Sequence, residues 1–195
     1  MIQAKSARIL CVLVLMLVAG WAAPSVAKAD GNVNFFLGQK MLERNDWDPV
    51  QDQGEFGAEI TFGKKGWPIQ IAIDALGSTD EEDQFGLTVK GSTSELGVGV
   101  RKVWEAGKAR PYIGGGVALV YGKFEVSSGG ITVSDDDSVQ GGWVGGGVFW
   151  RLGRAFNIGV SARYSKATVT FFGVDGEGGG THLGLLLGWG WPAGR

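Results

Sequence analysis

Apolar positions alternate with polar or small ones, two residues apart, through most of the chain beyond its first thirty residues. The pattern is plainest over residues 181–191. There Leu183, Leu185, Leu187, Trp189 and Trp191 share one face, and His182, Gly184, Leu186, Gly188 and Gly190 share the other. Successive side chains of a strand point to opposite sides, so this stretch has a broad apolar face backed by small residues. The apolar side suits lipid, the glycine side a crowded interior, and the aromatic end a membrane interface. It reads as the closing strand of a transmembrane β-barrel.

Seven earlier runs carry the same period. Residues 33–42 set Val33, Phe35, Leu37 and Met41 against Asn34, Phe36, Gly38 and Lys40. Residues 54–64 set Phe56, Ala58, Ile60 and Phe62 against Glu55, Gly57, Glu59, Thr61 and Gly63. After Pro68, Ile69, Ile71, Ile73 and Ala75 oppose Gln70, Ala72 and Asp74. Leu96, Val98, Val100 and Trp104 oppose Glu95, Gly97, Gly99 and Arg101. Residues 111–123 set Ile113, Val117, Leu119 and Tyr121 against Tyr112, Gly114, Gly116 and Ala118. Residues 141–152 set Val144, Val148, Trp150 and Leu152 against Gly145, Gly147, Phe149 and Arg151. Phe156, Ile158, Val160, Ala162 and Tyr164 oppose Asn157, Gly159, Ser161, Arg163 and Ser165.

Runs of about ten residues fit tilted strands crossing a bilayer. The connections alternate. Residues 43–53, 78–94, 124–140 and 167–180 form long ones, and residues 64–67, 105–110 and 153–155 form tight ones. Outer-membrane barrels combine long outer loops with short periplasmic turns, and an even strand count leaves both termini in the periplasm. The predicted fold is all-β: an eight-stranded antiparallel up-and-down transmembrane β-barrel with short periplasmic turns and long extracellular loops.

Composition adds a reason for the small inward face. The chain has 35 glycines in 195 residues, more than twice the usual share of roughly 7%, without a collagen-like triplet period. Eight strands leave little interior room, which accounts for it. The N-terminus supplies the compartment. Lys5 and Arg8 precede an apolar stretch at residues 9–23, and Ala27-Lys28-Ala29 forms a cleavage signal. Residues 1–29 are therefore expected to be a cleaved secretory signal peptide and residues 30–195 the barrel domain. Cys11 lies within the leader, so the mature chain is expected to have no disulfide, thiol nucleophile or cysteine metal site. Losing Lys5, Arg8 and Lys28 leaves 15 basic against 20 acidic residues, a balance of −5. That argues against nucleic acid as a partner.

The topology makes a demand on the aromatics. Trp67, Trp104, Trp150, Phe156, Trp189 and Trp191 all fall near the short-turn end, joined by Phe35 and Phe62. Amphipathic rings favour membrane–water interfaces, so these form an expected periplasmic girdle. Trp47 and Trp143 fall elsewhere. A sparser outer girdle would draw on Tyr121, Phe124, Tyr164 and Phe171 or Phe172. The inward faces hold the charges: Glu59, Asp74, Arg101 and Arg163 near mid-strand, and Lys40, Glu55, Glu95 and His182 nearer the outer end. A basic group on the lipid face would cost roughly 2–4 kcal/mol at the midplane. Inside, opposite charges can pair, so these eight are expected to form a lumen network.

The outer connections are acidic, with Asp46, Asp48 and Asp52, then Asp80, Glu81, Glu82 and Asp83, then Asp135, Asp136 and Asp137. Solvation of the loops is their plainest role, with divalent-cation binding at a lipopolysaccharide surface an alternative. The last run lacks the glycine and terminal glutamate of an EF-hand loop. Ser165 and His182 approach each other if the last two strands pair about residues 173–174, with Glu55 or Glu95 as a third group. Acyl hydrolysis also needs an oxyanion site, which nothing here supplies. No phosphate loop or metal-ligand cluster appears, and no cofactor or metal is expected.

The segment RPYIGGGVALVYG at residues 110–122, the alternating strand at residues 157–165 and the aromatic closing strand resemble the small outer-membrane β-barrels of the OmpA transmembrane-domain, OmpX and OmpW kind. The resemblance covers residues 32–191. It implies a place in the outer membrane of a Gram-negative bacterium, contact with membrane lipid and lipopolysaccharide, and insertion by the outer-membrane assembly machinery through a terminal aromatic strand. Here Pro192, Ala193, Gly194 and Arg195 follow Trp191. The expected role is non-catalytic, structural or in contact with surface partners. A narrow, porin-like solute channel, a lipid-modifying enzyme and a soluble periplasmic barrel are the alternatives.

Overall fold

The computed structural model describes residues 29–64 and 66–191. The inferred leader and the tail at residues 192–195 fall outside the described residues, apart from the backbone of Ala29. Strand β1 (Ala29–Met41) leads through a single helical turn, α1 (Arg44–Trp47), to β2 (Asp52–Lys64). Then come β3 (Gln70–Gln84), β4 (Leu87–Val103), β5 (Ala109–Ser128), β6 (Ile131–Leu152) and β7 (Phe156–Lys166). A small hairpin, β8 (Thr168–Phe171) and β9 (Val174–Glu177), precedes β10 (Gly180–Trp191). Eight strands close a ring in the order β1-β10-β7-β6-β5-β4-β3-β2, and every neighbouring pair is antiparallel.

Following the register from Phe35 one way reaches Leu119 on β5 through Ala58, Ala75 and Leu96. The other way reaches Ala109 on the same strand through Leu187, Ile158 and Trp150. The two arrivals differ by ten residues, a stagger that corresponds to a strand tilt of about 40°. Closure leaves no free sheet edge within the barrel wall.

The faces are inverted relative to a water-soluble barrel. Leu183, Leu185 and Leu187 are 48%, 59% and 48% exposed, whereas Leu186, between them, is wholly buried. Asn34, Glu59, Asp74, Arg101, Asn157 and Arg163 are buried on the inside. Trp67, Trp104, Trp150, Phe156 and Trp189 are all exposed near the short turns, and Trp191 is partly covered. Trp189 packs edge-on against Phe35 and Phe156.

Two of the expected long loops are strand rather than coil. β3 and β4 stay paired to Gln84 and Leu87 and turn at Phe85-Gly86, so the acidic run lies within a hairpin. β5 and β6 stay paired to Ser128 and Ile131 and turn at Gly129-Gly130. Alternation weakens over these residues because neither face meets lipid there, but the ladder begun in the wall continues. The outer girdle also needs correcting. Tyr121 and Tyr164 face outward, 38% and 47% exposed. Phe124 shares the inward parity of Tyr112 and Val120, and Phe124 and Phe171 pack against Trp47 over the mouth. Phe172 sits at a hairpin tip.

Candidate functional site

The lumen is the candidate site, because the inward polar groups converge there. At the outer mouth Leu42, Trp47, Val50 and Val169 form a buried apolar cap, backed by Val89, Phe124, Val139 and Phe171. The turn of α1 carries Trp47 inward, and its indole Nε1 donates to the Glu177 carbonyl at 2.8 Å. Its ring meets Phe171 and Phe124 edge-on, with centroids 5.5 and 6.2 Å apart. Such contacts contribute about 0.5–1.5 kcal/mol each beyond area burial. A loop tryptophan is thus a lid.

Beneath the cap lies an ionic network. The Lys40 ammonium donates to Glu95 at 2.7 Å, Thr93 at 2.8 Å and the Gly178 carbonyl at 3.0 Å, which uses all three of its donors. Glu95 also accepts from Ser165 at 2.7 Å and Arg163 at 3.2 Å. Arg163 reaches Asp74 at 3.0 Å, and Arg101 forks onto both Asp74 oxygens at 3.1 Å. Arg101 extends to Glu59 at 3.3 Å and Thr61 at 2.9 Å. His182 Nδ1 lies 2.8 Å from Glu55, and its Nε2 lies 3.0 Å from Ser165 Oγ and 3.4 Å from Glu95. Lys40, Glu55, Glu59, Asp74, Glu95, Arg101, Arg163 and His182 are therefore one connected cluster. Chains of hydrogen bonds of this kind rigidify a core, although the buried Nε groups of Arg101 and Arg163 find no protein partner among the described residues.

Two aromatics complete it. The Arg163 guanidinium stacks 4.5 Å from the Trp143 ring centroid, and Arg101 lies 4.8 Å from that of Tyr112. Desolvated contacts of this type are worth about 2 kcal/mol. The Tyr112 hydroxyl meets Ser161 at 2.8 Å and Glu59 at 3.2 Å. Gly97 makes the room: a Cβ there would stand 3.0 Å from Arg163 and 3.1 Å from the Trp143 indole nitrogen. Trp143 shares the inward parity of Gly145, Gly147 and Phe149, a signal present in the sequence that its height along the strand obscures.

Beside the network, Phe36, Leu76, Tyr112, Phe149 and Leu186 form a second apolar cluster, with Leu76 paired to Glu95 across the strands and Tyr112 shared with Arg101 and Glu59. Asn157 then donates to Asn34 at 3.0 Å and to Asn32 at 3.2 Å, and Arg151 bonds both Asn32 and Asn157. A cavity of about 330 Å³ at the short-turn end has Asp30, Lys64, Gln70, Arg110 and Arg151 in its lining, with Phe149 and Val103. The interior is thus filled by an apolar cap, an ion network interleaved with an apolar cluster, and a group of asparagines toward the short-turn end.

Ser165, His182 and Glu55 have the spacing of a nucleophile, base and orienting carboxylate. All three are buried, and the serine hydroxyl is donated to Glu95. Acyl transfer needs a place for the carbonyl beside both nucleophile and oxyanion donors. Among the described residues, no group of three or more His, Cys, Asp or Glu is placed to hold a metal ion.

No protein-family model matches the chain, and no curated protein matches it. Solved structures do. The chain is similar to Ail, the attachment invasion locus protein of Yersinia pestis, solved in complex with the heparin analogue sucrose octasulfate. The TM-score is 0.58 at 16% identity, covering 84% of this chain and 99% of that one. It is similar to a major outer membrane protein from Thermus thermophilus, with a TM-score of 0.57 at 10% identity, covering 84% and 98%. It is similar to Neisserial surface protein A, with a TM-score of 0.53 at 13% identity, covering 84% and 95%. The chain has the fold of the small outer-membrane β-barrels.

Proposed function

We propose that this barrel is an exported, integral outer-membrane protein whose role is non-catalytic: it supports the envelope and presents its outer end to surface partners. The observation that carries the reading is the filled lumen. A conducting barrel needs a continuous water path, whereas here one apolar cluster caps the mouth and a second packs among the ion pairs of the network beneath it. The exposed apolar wall and lower aromatic ring support residence in lipid. Lipopolysaccharide would surround the outer end, and the assembly machinery would insert the chain, with Trp191 as the terminal aromatic.

Charge argues against one class of surface partner. Ail was solved with an octasulfate, a polyanion. In this chain, residues 43–53, 79–92, 122–140 and 166–180 carry 14 acidic and 4 basic side chains, or −10. A sulfated polyanion would be repelled.

Single-channel recording in planar bilayers tests the reading. The purified mature chain is expected to remain silent, and steady openings would instead establish the solute channel. The spacing of Ser165, His182 and Glu55 favours a second reading, a lipid-modifying enzyme, which needs its own measurement. In cells expressing His182→Ala, lipid A masses should match those with the unaltered protein. Loss of a modification would reinstate catalysis.

A further inference from the structure

Beyond the wall, β3 to β6 rise together as a four-stranded sheet, and cross-strand partners show that its two faces differ. One face carries Asp83-Thr88-Ser127-Thr132 and Glu81-Lys90-Glu125-Ser134 in successive rows. Its charges are partly paired, Glu81 with Lys90 at 3.4 Å and Lys123 with Glu125 at 2.8 Å. This is an ordinary solvated face.

The other face has the row Glu82-Val89-Val126-Val133, with Leu87 and Ile131 beyond it. Its lower part continues into the cap, where Val89 and Phe124 back Trp47. Its upper part is uncovered: Ile131 is 73% exposed, Val133 55% and Leu87 40%. The neighbouring β8–β9 tip adds Phe172 at 57% and Val174 at 70%, held beside β6 because the Phe172 amide donates to Asp135 at 2.6 Å. An antiparallel sheet with one solvated face normally buries the other. A contiguous exposed apolar patch with a polar rim marks an interaction site. Glu82, Asp80, Asp135 and Asp175 supply that rim.

The turns sharpen the point. Phe85-Gly86 and Phe172-Gly173 have φ of +53° and +79°, and +51° and +79°. Asn or Asp is the usual first residue of such two-residue hairpin turns, and a bulky side chain at positive φ is disfavoured. Both turns place phenylalanine there, and Phe85 is fully exposed. Neither backbone preference nor solvation within this chain accounts for that choice.

We infer that the inner face of the raised sheet is a docking surface for a cationic amphipathic polypeptide. Its apolar side would lie on Val126, Ile131, Val133 and Phe172, and its basic groups would face the carboxylate rim. The surrounding outer segments, at −10, would draw such a partner in and make binding salt-dependent. The inference rests on the surface-presenting role proposed above.

The test uses the mature chain in phosphatidylcholine nanodiscs, with empty discs as the blank. A fluorescent Lys/Leu peptide that is amphipathic as a helix is titrated by anisotropy, beside a scrambled isomer and a Glu/Leu counterpart. Saturable binding above the blank is expected. It should weaken about tenfold or more for either control peptide and in the Ile131→Ser/Val133→Ser double variant. These side chains are exposed, so folding should survive, which heat-modifiable gel mobility verifies. Equal binding of the scrambled peptide, or unchanged binding by the folded double variant, overturns the inference. So does a dimer that the same substitutions dissolve, since a second copy would then cover the face. Discs expose both ends, so the result does not depend on cellular orientation. Impermeant-maleimide labelling of Ser128→Cys in whole cells tests orientation separately.

Discussion

Asp74 shows how the interior divides its work among single side chains. It receives Arg101 through both oxygens and Arg163 through one, so a single carboxylate joins two cations from different strands. Removing one partner of a buried ion pair leaves uncompensated charge, at a cost of about 3–5 kcal/mol. Asp74→Asn should therefore destabilise the barrel by about that much, read from the urea midpoint in detergent. Glu81→Gln, which breaks an exposed pair with Lys90, should change it by under about 1 kcal/mol. Equal effects would mean that the network contributes no more than a surface contact. The inward position of these groups was legible from alternation alone. Their partners were not, because Lys40 on β1 meets Glu95 on β4 only after the ring has closed. No spacing along the chain encodes that meeting.

At the scale of elements, the acidic run on β6 does more than face solvent. The Thr170 amide donates to Asp137 at 2.8 Å and the Phe172 amide to Asp135 at 2.6 Å, so two carboxylates cap the open edge of β8. On β9 the Glu177 amide likewise donates to Asp46 at 2.7 Å. Asp135→Ala/Asp137→Ala should speed amide exchange at Thr170 and Phe172 about tenfold or more while leaving β7 and β10 protected. Uniformly faster exchange across all three would show that the hairpin and barrel open together. The wall strands were readable because lipid on one side and a crowded lumen on the other impose strict alternation. Outside the bilayer that constraint lapses, and the charged hairpins read as loops. Phe124 departs from expectation for the same reason. Its parity points inward, but its height suggests an interface.

For the molecule as a whole, the cap and the packed section beneath it act together. Trp47 and its neighbours close the outer mouth, and beneath them the ion network and the cluster of Phe36, Phe149 and Leu186 fill the barrel side by side. A path must clear both the cap and the packed section before ions can cross, so loosening the cap alone should not open a pore. Trp47→Ala removes the indole, its bond to Glu177 and two edge-on aromatic contacts, and leaves Lys40, Glu95 and Arg163 paired below. Truncating a buried tryptophan costs about 3–5 kcal/mol. The variant should therefore unfold at lower urea yet remain silent in planar bilayers. Steady openings from Trp47→Ala would show that the cap alone holds the barrel shut, with the network beneath it permeable to water and ions.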